Sequence, residues 1–333
     1  MKTVVTITML CLSSALWSQE IIENGEKPSS PDAGRVVKIE KVFAVPETGN
    51  DYVLQNPRKL TITEEGHFFI LDQTSVLEFD ASMNHIRTYS PEGEQIMLHS
   101  MQISKEKIHV YSRMYPPCLY SFTRANHNVN MFVASDRMPF YLFEYLNRHY
   151  FLESNMYSVN KEGKDHKEKT DLDVKSKESM EGDTRTVVTF DPQAAFDPES
   201  GLAYVSNTPE YLINQIDLKT GKILRKFNRK YERVQTHPSQ ARWSKYKLDM
   251  MNILCVDDKI WVITSTVDEK KGQLVDVFNQ SGKYLDSFWI NCREKGQALR
   301  FSAKNIAVYG DHLYILYLDT KNRAMIGKGE IFD

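Results

Sequence analysis

Short apolar, aromatic-rich segments recur six times along the chain, and with the alternating apolar and polar residues of neighbouring segments they predict β-strands rather than helices. Equivalent positions of these segments lie 40 to 57 residues apart, which suits one small four-stranded sheet for each. A small sheet cannot bury its own faces, so six of them should pack around a common axis. We therefore predict an all-β fold, a six-bladed β-propeller of four-stranded antiparallel blades. The predicted second strands are HFFIL at 67–71, KIHVY at 107–111, HYFLE at 149–153, LAYVS at 202–206, KIWVI at 259–263 and HLYIL at 312–316.

The last blade needs a strand from elsewhere, because only a third strand from Ala324 onward follows its second strand. The alternating segment 36–42 is the predicted donor, and its pairing into the last blade would close the ring and cover an exposed edge. Two insertions depart from the blade pattern. The first, at 161–185, is rich in Lys, Glu and Asp and is predicted to be a solvated or mobile extension of the third blade. The second, at 228–247, is basic and aromatic and is predicted to contain a short helix after Pro238.

The N-terminal residues have the pattern of a secretory signal peptide. Lys2 precedes an apolar stretch that ends in small residues near residue 18. A buried first strand is the competing interpretation, and the polar stretch that follows disfavours it. The predicted organisation is a signal peptide at 1–19, a polar linker at 20–35 and the propeller at 36–333. We expect export to the periplasm, cell surface or medium, with no integral membrane segment after cleavage.

Composition narrows the possible partners. The 42 basic and 44 acidic residues nearly balance, so no global field favours nucleic acid or an anionic membrane. After the signal peptide, Cys118, Cys255 and Cys292 remain, an odd number for a disulfide-permissive compartment. Cys255 and Cys292 are predicted at opposite radial ends of one blade, too far apart to pair. Buried thiols and a monomeric protein are expected.

Motifs for catalysis do not stand out. The chain has no Gly-x-Ser-x-Gly elbow, no Cys-His signature and no Gly-rich phosphate loop. Nine histidines are present without metal-ligand spacing. Three of them, His67, His149 and His312, open second strands, where exposed turn positions are predicted. We therefore assign no catalytic residue, no metal and no cofactor, and leave open whether the protein is an enzyme.

Candidate binding residues cluster on one predicted face. In an up-and-down blade, the connections from second to third strand emerge beside the starts of the first strands, and rigid scaffolds place function on such loops. Lys304 also lies at a first-strand start. The competing interpretation is that polar side chains line any propeller channel and that the aromatic stretch merely caps the blade beneath. The candidates for ligand binding are Arg58, Lys59, His99, Arg113, Asn155, Asn207, Arg242, Trp243, Tyr246, Asn252 and Asn305.

The repeat pattern resembles that of the exported bacterial six-bladed β-propellers of NHL/TolB-like type. The resemblance extends over nearly all of 36–333, but the second and third blades lack the turn glycine and the aspartate after the second strand. The resemblance implies the propeller fold and the binding of proteins, peptides or glycans on the loop face. It implies no catalytic residue in this chain. The matching residues are Leu54, Pro57, Leu60, Ile62, Gly66, Phe69, Ile70, Leu71, Asp72, Val76, Phe79 and Asp80, with Asp197, Tyr204, Val205, Ile216, Asp217, Gly221, Trp261, Val262, Val277, Phe278 and Gly282 in the fourth and fifth blades.

Two functions follow as hypotheses. The first is a non-enzymatic recognition or scaffold module that binds a protein, peptide or glycan on its loop face. The alternative is a metal-dependent hydrolase or lyase of lactonase or amidating-lyase type with a divalent ion on the axis.

Overall fold

The computed structural model describes residues 21–45, 54, 56–91, 96–112, 118–125, 129–133, 141–146, 148–152, 156–160, 167–170, 177–181, 184–188, 192–197, 199–240, 245–294, 296–299, 301–321 and 323–331. This part of the chain is all-β, apart from a short 3-10 helix at Pro238–Gln240. No helix within it is long and apolar enough to cross a membrane.

The strands follow one another closely along the chain. The first fourteen are β1 (Ile21–Asn24), β2 (Arg35–Ala44), β3 (Lys59–Ile62), β4 (Phe68–Leu71), β5 (Val76–Phe79), β6 (His85–Tyr89), β7 (Leu98–Ile103), β8 (Lys107–Ser112), β9 (Cys118–Thr123), β10 (Val129–Val133), β11 (Tyr141–Tyr145), β12 (Arg148–Leu152), β13 (Met156–Asn160) and β14 (Lys167–Thr170). The others are β15 (Lys177–Glu181), β16 (Thr184–Val188), β17 (Gln193–Asp197), β18 (Leu202–Ser206), β19 (Ile213–Asp217), β20 (Ile223–Arg229), β21 (Met250–Val256), β22 (Lys259–Asp268), β23 (Gly272–Asn279), β24 (Tyr284–Glu294), β25 (Gln297–Ala298), β26 (Phe301–Tyr309), β27 (His312–Leu318) and β28 (Ala324–Glu330).

Consecutive strands pair into six antiparallel runs, which we number in chain order. Run 1 is β3–β6, run 2 is β7–β10, run 3 is β11–β14, run 4 is β17–β20, run 5 is β21–β24 and run 6 is β26–β28. All six predicted second strands are strands, and each is the second of its run. The hairpin β15–β16 forms a separate two-stranded sheet, and β25 pairs with the end of β24. The insertion predicted at 161–185 therefore contains strands, among them β14, the fourth strand of run 3.

The hydrophobic core consists of clusters that lie between neighbouring runs, because alternate residues of a strand face opposite sides of its sheet. In β4, Phe69 and Leu71 pack against run 2, whereas Phe68 and Ile70 pack against run 6. Further clusters join runs 3 and 4, runs 4 and 5, and runs 5 and 6. Between runs 2 and 3, the rings of His109 and His149 meet edge to face. Each run is thus packed on both faces, which is why the second strands carry buried apolar residues on both faces.

The N-terminal strands join runs across the molecule. The first half of β2, Arg35 to Ile39, pairs in parallel with β24 of run 5, and its second half pairs antiparallel with β28 of run 6. The segment expected to supply a strand to the last blade therefore lies beside β28. It also joins runs 5 and 6 into one nine-stranded sheet, which the sequence does not predict.

Strand β1 lies inside the stretch predicted as a polar linker, and it pairs in parallel with β20 of run 4. Its last residue holds two runs together through one side chain. The Asn24 amide donates to the carbonyl oxygens of Asn228 (2.7 Å) and Gly282 (2.9 Å), and its Oδ1 accepts from the backbone N–H of Tyr284 (2.9 Å). The linker prediction therefore misses a strand that fastens run 4 to run 5.

Candidate functional site

The first strands of the six runs, β3, β7, β11, β17, β21 and β26, lie next to one another around the molecule. Strand β3 contacts β7 and β26, β7 contacts β11, β17 contacts β21, and β21 contacts β26. Their starts lie beside the connections between second and third strands, as in the hydrogen bonds from Leu98 N to Gln73 O (2.8 Å) and from Asp249 N to Pro209 O (3.0 Å). We call this end of the molecule the first-strand face.

Three predicted binding residues at this face hydrogen-bond to the backbone of the neighbouring first strand. Arg58 Nη1 donates to Leu98 O (3.0 Å) and Lys59 Nζ to Met101 O (2.9 Å), which joins β3 to β7. The amide of Asn252 in β21 donates to the carbonyl oxygen of Ala303 in β26 (2.8 Å), which joins runs 5 and 6.

These bonds coincide with register shifts in the first strands. The pairing of β7 shifts near its start, between Leu98 and Ser100, and that of β26 shifts between Phe301 and Ile306. Such bulges re-aim backbone groups and often lie at the rims of closed sheets. A first strand is the edge strand of its run, so the carbonyl groups on its outer edge have no partner strand. Polar side chains donate hydrogen bonds to some of them instead.

One contact joins two runs that are not neighbours. Lys304 Nζ of β26 lies 5.7 Å from the centroid of the Tyr141 ring in β11, although β26 belongs to run 6 and β11 to run 3. The Tyr141 hydroxyl in turn donates to Oε1 of Gln193 at the start of β17 (3.2 Å). Side chains from runs 3, 4 and 6 therefore meet near the middle of the ring of first strands.

The environment of Lys59 at the first-strand face lowers the pKa of its ammonium group. Burial of the ammonium group is the larger cause and the positive charge of Lys304 the smaller, and together they lower the pKa of Lys59 to about 8. Two cations therefore lie close enough to repel each other, and an anion between them would relieve that repulsion.

Other predicted residues lie elsewhere or serve the structure. Asn207 is buried, and its Oδ1 accepts a hydrogen bond from the amide of Asn214 (2.9 Å). His99 lies half-buried in β7. Asn305 is buried in β26, and among the described residues its Oδ1 has no hydrogen-bond partner. The remaining predicted residues Arg113, Asn155, Arg242 and Trp243 lie outside the described residues.

The described part of the long connection between runs 4 and 5, residues 230–240 and 245–249, lies on the first-strand face, because it joins the end of a fourth strand to the start of a first strand. Tyr246 lies in it beneath two cations, Arg233 at 4.9 Å and Lys245 at 5.3 Å from its ring centroid. Arg233 Nε donates to the buried carboxylate of Asp249 (2.9 Å), and Tyr231 reaches Thr266 Oγ1 (2.7 Å) in β22. The predicted helix after Pro238 is a single 3-10 turn. Tyr246 therefore helps to anchor this loop.

The histidines that open second strands do not share one environment. His149 is buried in β12, so the prediction of an exposed turn is wrong for it. Burial follows because run 3 packs against run 2 at that level. His67 precedes β4, and its Nδ1 lies 2.9 Å from Oε1 of Glu78. Within the described residues, no three His, Cys, Asp or Glu side chains are grouped so that they could hold a metal ion.

Comparison with solved structures shows which fold these elements form. A member of the DUF4221 family from Bacteroides vulgatus superposes with a TM-score of 0.57 at 10% identity, over 89% of this chain and 98% of the other. A candidate exported protein from Bacteroides fragilis superposes with a TM-score of 0.56 at 9% identity, over 94% of this chain and 100% of the other. The chain shares their propeller-like fold. No protein-family profile matches the sequence, and no curated protein matches it.

Sequence reasoning missed two residues of this site. Tyr141 and Gln193 are each the first residue of a first strand, in β11 and β17. Their place at the start of a first strand could have pointed to them, because the predicted binding residue Lys59 is likewise the first residue of β3.

Proposed function

We propose that this protein is a six-bladed β-propeller of NHL/TolB-like type that acts as a non-enzymatic recognition module. In this proposal the six runs are the blades, and β2 is the fourth strand of the last one. The ligand is a protein, peptide or glycan that binds on the first-strand face. The observation that carries the proposal is the meeting of polar side chains from runs 1, 3, 4 and 6 around Lys304.

Ordered side chains at the first-strand face support the proposal of ligand binding. Arg58, Lys59 and Asn252 are each held by a hydrogen bond to the backbone of the next first strand. A site whose side chains are already ordered loses little conformational entropy when a ligand binds. Loops alone would not give this advantage, because their side chains would have to be ordered at the moment of binding.

Export is part of the same proposal. The predicted signal peptide at 1–19 would deliver the mature chain to the periplasm or cell surface. A structural neighbour described as a candidate exported protein is in keeping with this, although at 9% identity the likeness itself concerns only the fold.

The recognition proposal is tested by a bulky substitution that blocks the first-strand face to neutral and charged ligands alike. Lys304 is exposed, so Lys304→Trp should fold and fill the space above the first strands. The control is Lys219→Trp in the exposed turn between β19 and β20, at the other end of its run. Labelled protein is applied to immobilised oligosaccharides and peptides, both neutral and charged. We expect a class of compound that wild type and Lys219→Trp retain and Lys304→Trp loses.

Two outcomes would contradict the recognition proposal. One is that wild type retains no class of compound, and the other is that Lys304→Trp retains what wild type does. Metal analysis of the purified protein tests the alternative function. A stoichiometric divalent ion would favour the metal-dependent hydrolase or lyase.

A further inference from the structure

One dipeptide combines a reactive pair of residues with a structural role. Asn24 and Gly25 form the only Asn-Gly sequence among the 333 residues. An asparagine followed by glycine is prone to deamidate, because glycine has no Cβ to hinder its backbone nitrogen and bends freely toward the side chain. Asn24 is the last residue of β1, and Gly25 follows it on the exposed surface. A chemical change at this pair would therefore alter how β1 is held.

The contacts of Asn24 require an intact carboxamide. Its Nδ2 group donates to the carbonyl oxygens of Asn228 (2.7 Å) and Gly282 (2.9 Å), one in run 4 and one beside run 5. Its Oδ1 accepts from the backbone N–H of Tyr284 (2.9 Å). A carboxylate has no N–H group to donate. Deamidation would therefore place a negative charge opposite two carbonyl oxygens, and repulsion would replace two hydrogen bonds.

Apart from these contacts, β1 is held weakly. It has four residues, of which Ile21 and Glu23 are exposed. Ile22 packs against the cluster between runs 4 and 5 but is only partly buried. The ion pair of Glu26 with Lys230 just beyond the strand is exposed and contributes little. Elements with few buried contacts open locally more often than the whole protein unfolds, so β1 should leave β20 while the runs stay folded.

We infer that Asn24 is a deamidation site and that the reaction releases β1 irreversibly from runs 4 and 5. While β1 is paired, three hydrogen bonds hold the Asn24 carboxamide in one orientation. When β1 is detached, the side chain is free to meet the next backbone nitrogen. The product cannot restore the two donated hydrogen bonds. Deamidation thus converts a transient opening of this strand into a permanent one.

The reaction needs water and no other reactant. The backbone nitrogen of Gly25 bonds to Cγ of Asn24, the Cγ–Nδ2 bond breaks, and the amide nitrogen leaves as ammonia with the proton from the backbone nitrogen. Water then opens the succinimide ring at one of its two carbonyl carbons, and the new acid group loses its proton to solvent. Attack at Cγ gives aspartate. Attack at the backbone carbonyl carbon gives isoaspartate, which lengthens the main chain by one carbon atom.

The experiment follows the purified full chain at pH 8 and 37 °C over several days. Peptide mapping by mass spectrometry measures the loss of the Asn24 carboxamide, and enzymatic methylation detects isoaspartate. The control is Gly25→Ala, which should keep the contacts of Asn24 because a Cβ at Gly25 meets no atom within 4 Å. We expect wild type to deamidate at Asn24 about tenfold faster than Gly25→Ala, and faster still in urea below the unfolding transition.

Hydrogen exchange tests the release of β1 separately. The Lys230 backbone N–H donates to the carbonyl oxygen of Asn24 (2.9 Å), so its exchange rate reports the pairing of β1. We expect this amide to exchange about tenfold faster in deamidated protein and in Asn24→Asp than in fresh wild type, with Gly25→Ala unchanged. Thermal melting confirms that both variants fold.

Four results would overturn the inference. They are an Asn24 carboxamide that stays intact in wild type, a Gly25→Ala variant that deamidates as fast as wild type, a rate that urea does not change, and an amide of Lys230 that keeps its protection after deamidation.

Discussion

Single buried carboxylates connect neighbouring runs. Asp276 in β23 is fully buried, and its oxygens accept hydrogen bonds from Arg229 Nε (2.7 Å), Tyr211 (2.8 Å) and Tyr284 (2.8 Å). Arg229 and Tyr211 belong to or border run 4, and Asp276 belongs to run 5. The guanidinium group also lies 5.4 Å from each of the two tyrosine ring centroids. This cluster joins the two runs by charge as well as by apolar packing.

Glu78 makes the equivalent connection between runs 1 and 2. Its oxygens bind Tyr89 (2.6 Å), His67 (2.9 Å) and Arg124 (3.0 Å). Partial burial alone would raise the pKa of Glu78, but hydrogen bonds from these three partners outweigh burial and lower it. The carboxylate therefore stays charged at neutral pH.

Removal of the charge on Asp276 should destabilise the fold strongly. In Asp276→Asn, the Arg229 guanidinium group would remain 8% exposed without its counter-charge. Such changes cost about 3–5 kcal/mol of unfolding free energy. The matched control is Asp286→Asn in the next strand, whose ion pair with Arg35 is partly exposed, and it should cost about 1 kcal/mol or less. Equal losses in urea unfolding would contradict a dominant role for the buried pair.

Asp319 should make stability depend on pH in the acidic range. The backbone N–H of Arg323 donates to its carboxylate (2.9 Å), with further bonds from the Arg323 side chain and the Lys321 N–H, and together they lower its pKa to about 2. In the unfolded chain this pKa is about 3.9. The contribution is therefore present above about pH 4 and is lost as pH falls toward 2.

Urea unfolding of wild type and Asp319→Asn at several pH values measures this contribution. The difference in unfolding free energy should be largest at pH 5 to 6 and should shrink toward pH 2. A difference that stays constant across this range would show that the Asp319 carboxylate is not the source.

At the scale of elements, β2 shows how one strand serves two sheets. Val37 and Ile39 are buried in the cluster between runs 5 and 6, whereas Val36 faces outward. Gly327 of β28 allows this approach, because a Cβ there would overlap the Ile39 side chain. The alternation of β2 therefore orients it in the sheet, and a one-residue slip would expose both core residues.

Adjacent valines of β2 provide a matched test of this orientation. Val37 is 4% exposed and Val36 is 37% exposed. Val37→Ala removes two buried methyl groups and should cost about 2 kcal/mol, at roughly 0.8 kcal/mol per buried carbon plus the cavity that remains. Val36→Ala should change stability by about 0.5 kcal/mol or less. Equal effects in denaturant unfolding would mean that the strand is not oriented as described.

At the scale of the whole molecule, the runs form a closed succession. The cluster of Leu60, Phe68, Tyr314 and Ile326 packs run 6 against run 1, so the first and last runs meet in the core. Strands β1 and β2 then connect runs 4, 5 and 6 on the outside. Strands β1 and β2 are therefore part of the sheets of these runs, although they come before run 1 in the sequence.

Deletion of residues 35–43 should open this arrangement. The edges of β24 and β28 would lose their partner, and unpaired edges invite association with other chains. We expect a much lower melting temperature and aggregates in size-exclusion chromatography with light scattering. Deletion of 21–24, which leaves β2 in place, should have a smaller effect. A monomer with unchanged melting temperature after the larger deletion would contradict the role of β2.

The sequence determined the local structure of this protein. A recurring apolar, aromatic-rich motif predicted the second strand of every run, and Gly221 and Gly282 marked turns where the backbone adopts φ of 73° and 81°. These features depend on neighbouring residues and therefore appear in the sequence. The end of the molecule at which the second strands connect to the third strands followed as well, because strand order alone places these connections.

Only the tertiary structure decided which distant groups meet. Lys304 lies over Tyr141, 163 positions away by subtraction, and β2 pairs with strands from two runs. Arg58 and Asn252, predicted as ligand contacts, hold backbone carbonyls of neighbouring strands. Such partners depend on how the runs close around one another, and no local pattern records that closure. Burial likewise depends on what covers a strand, which is why His149 lies inside although its position in the sequence predicts a turn.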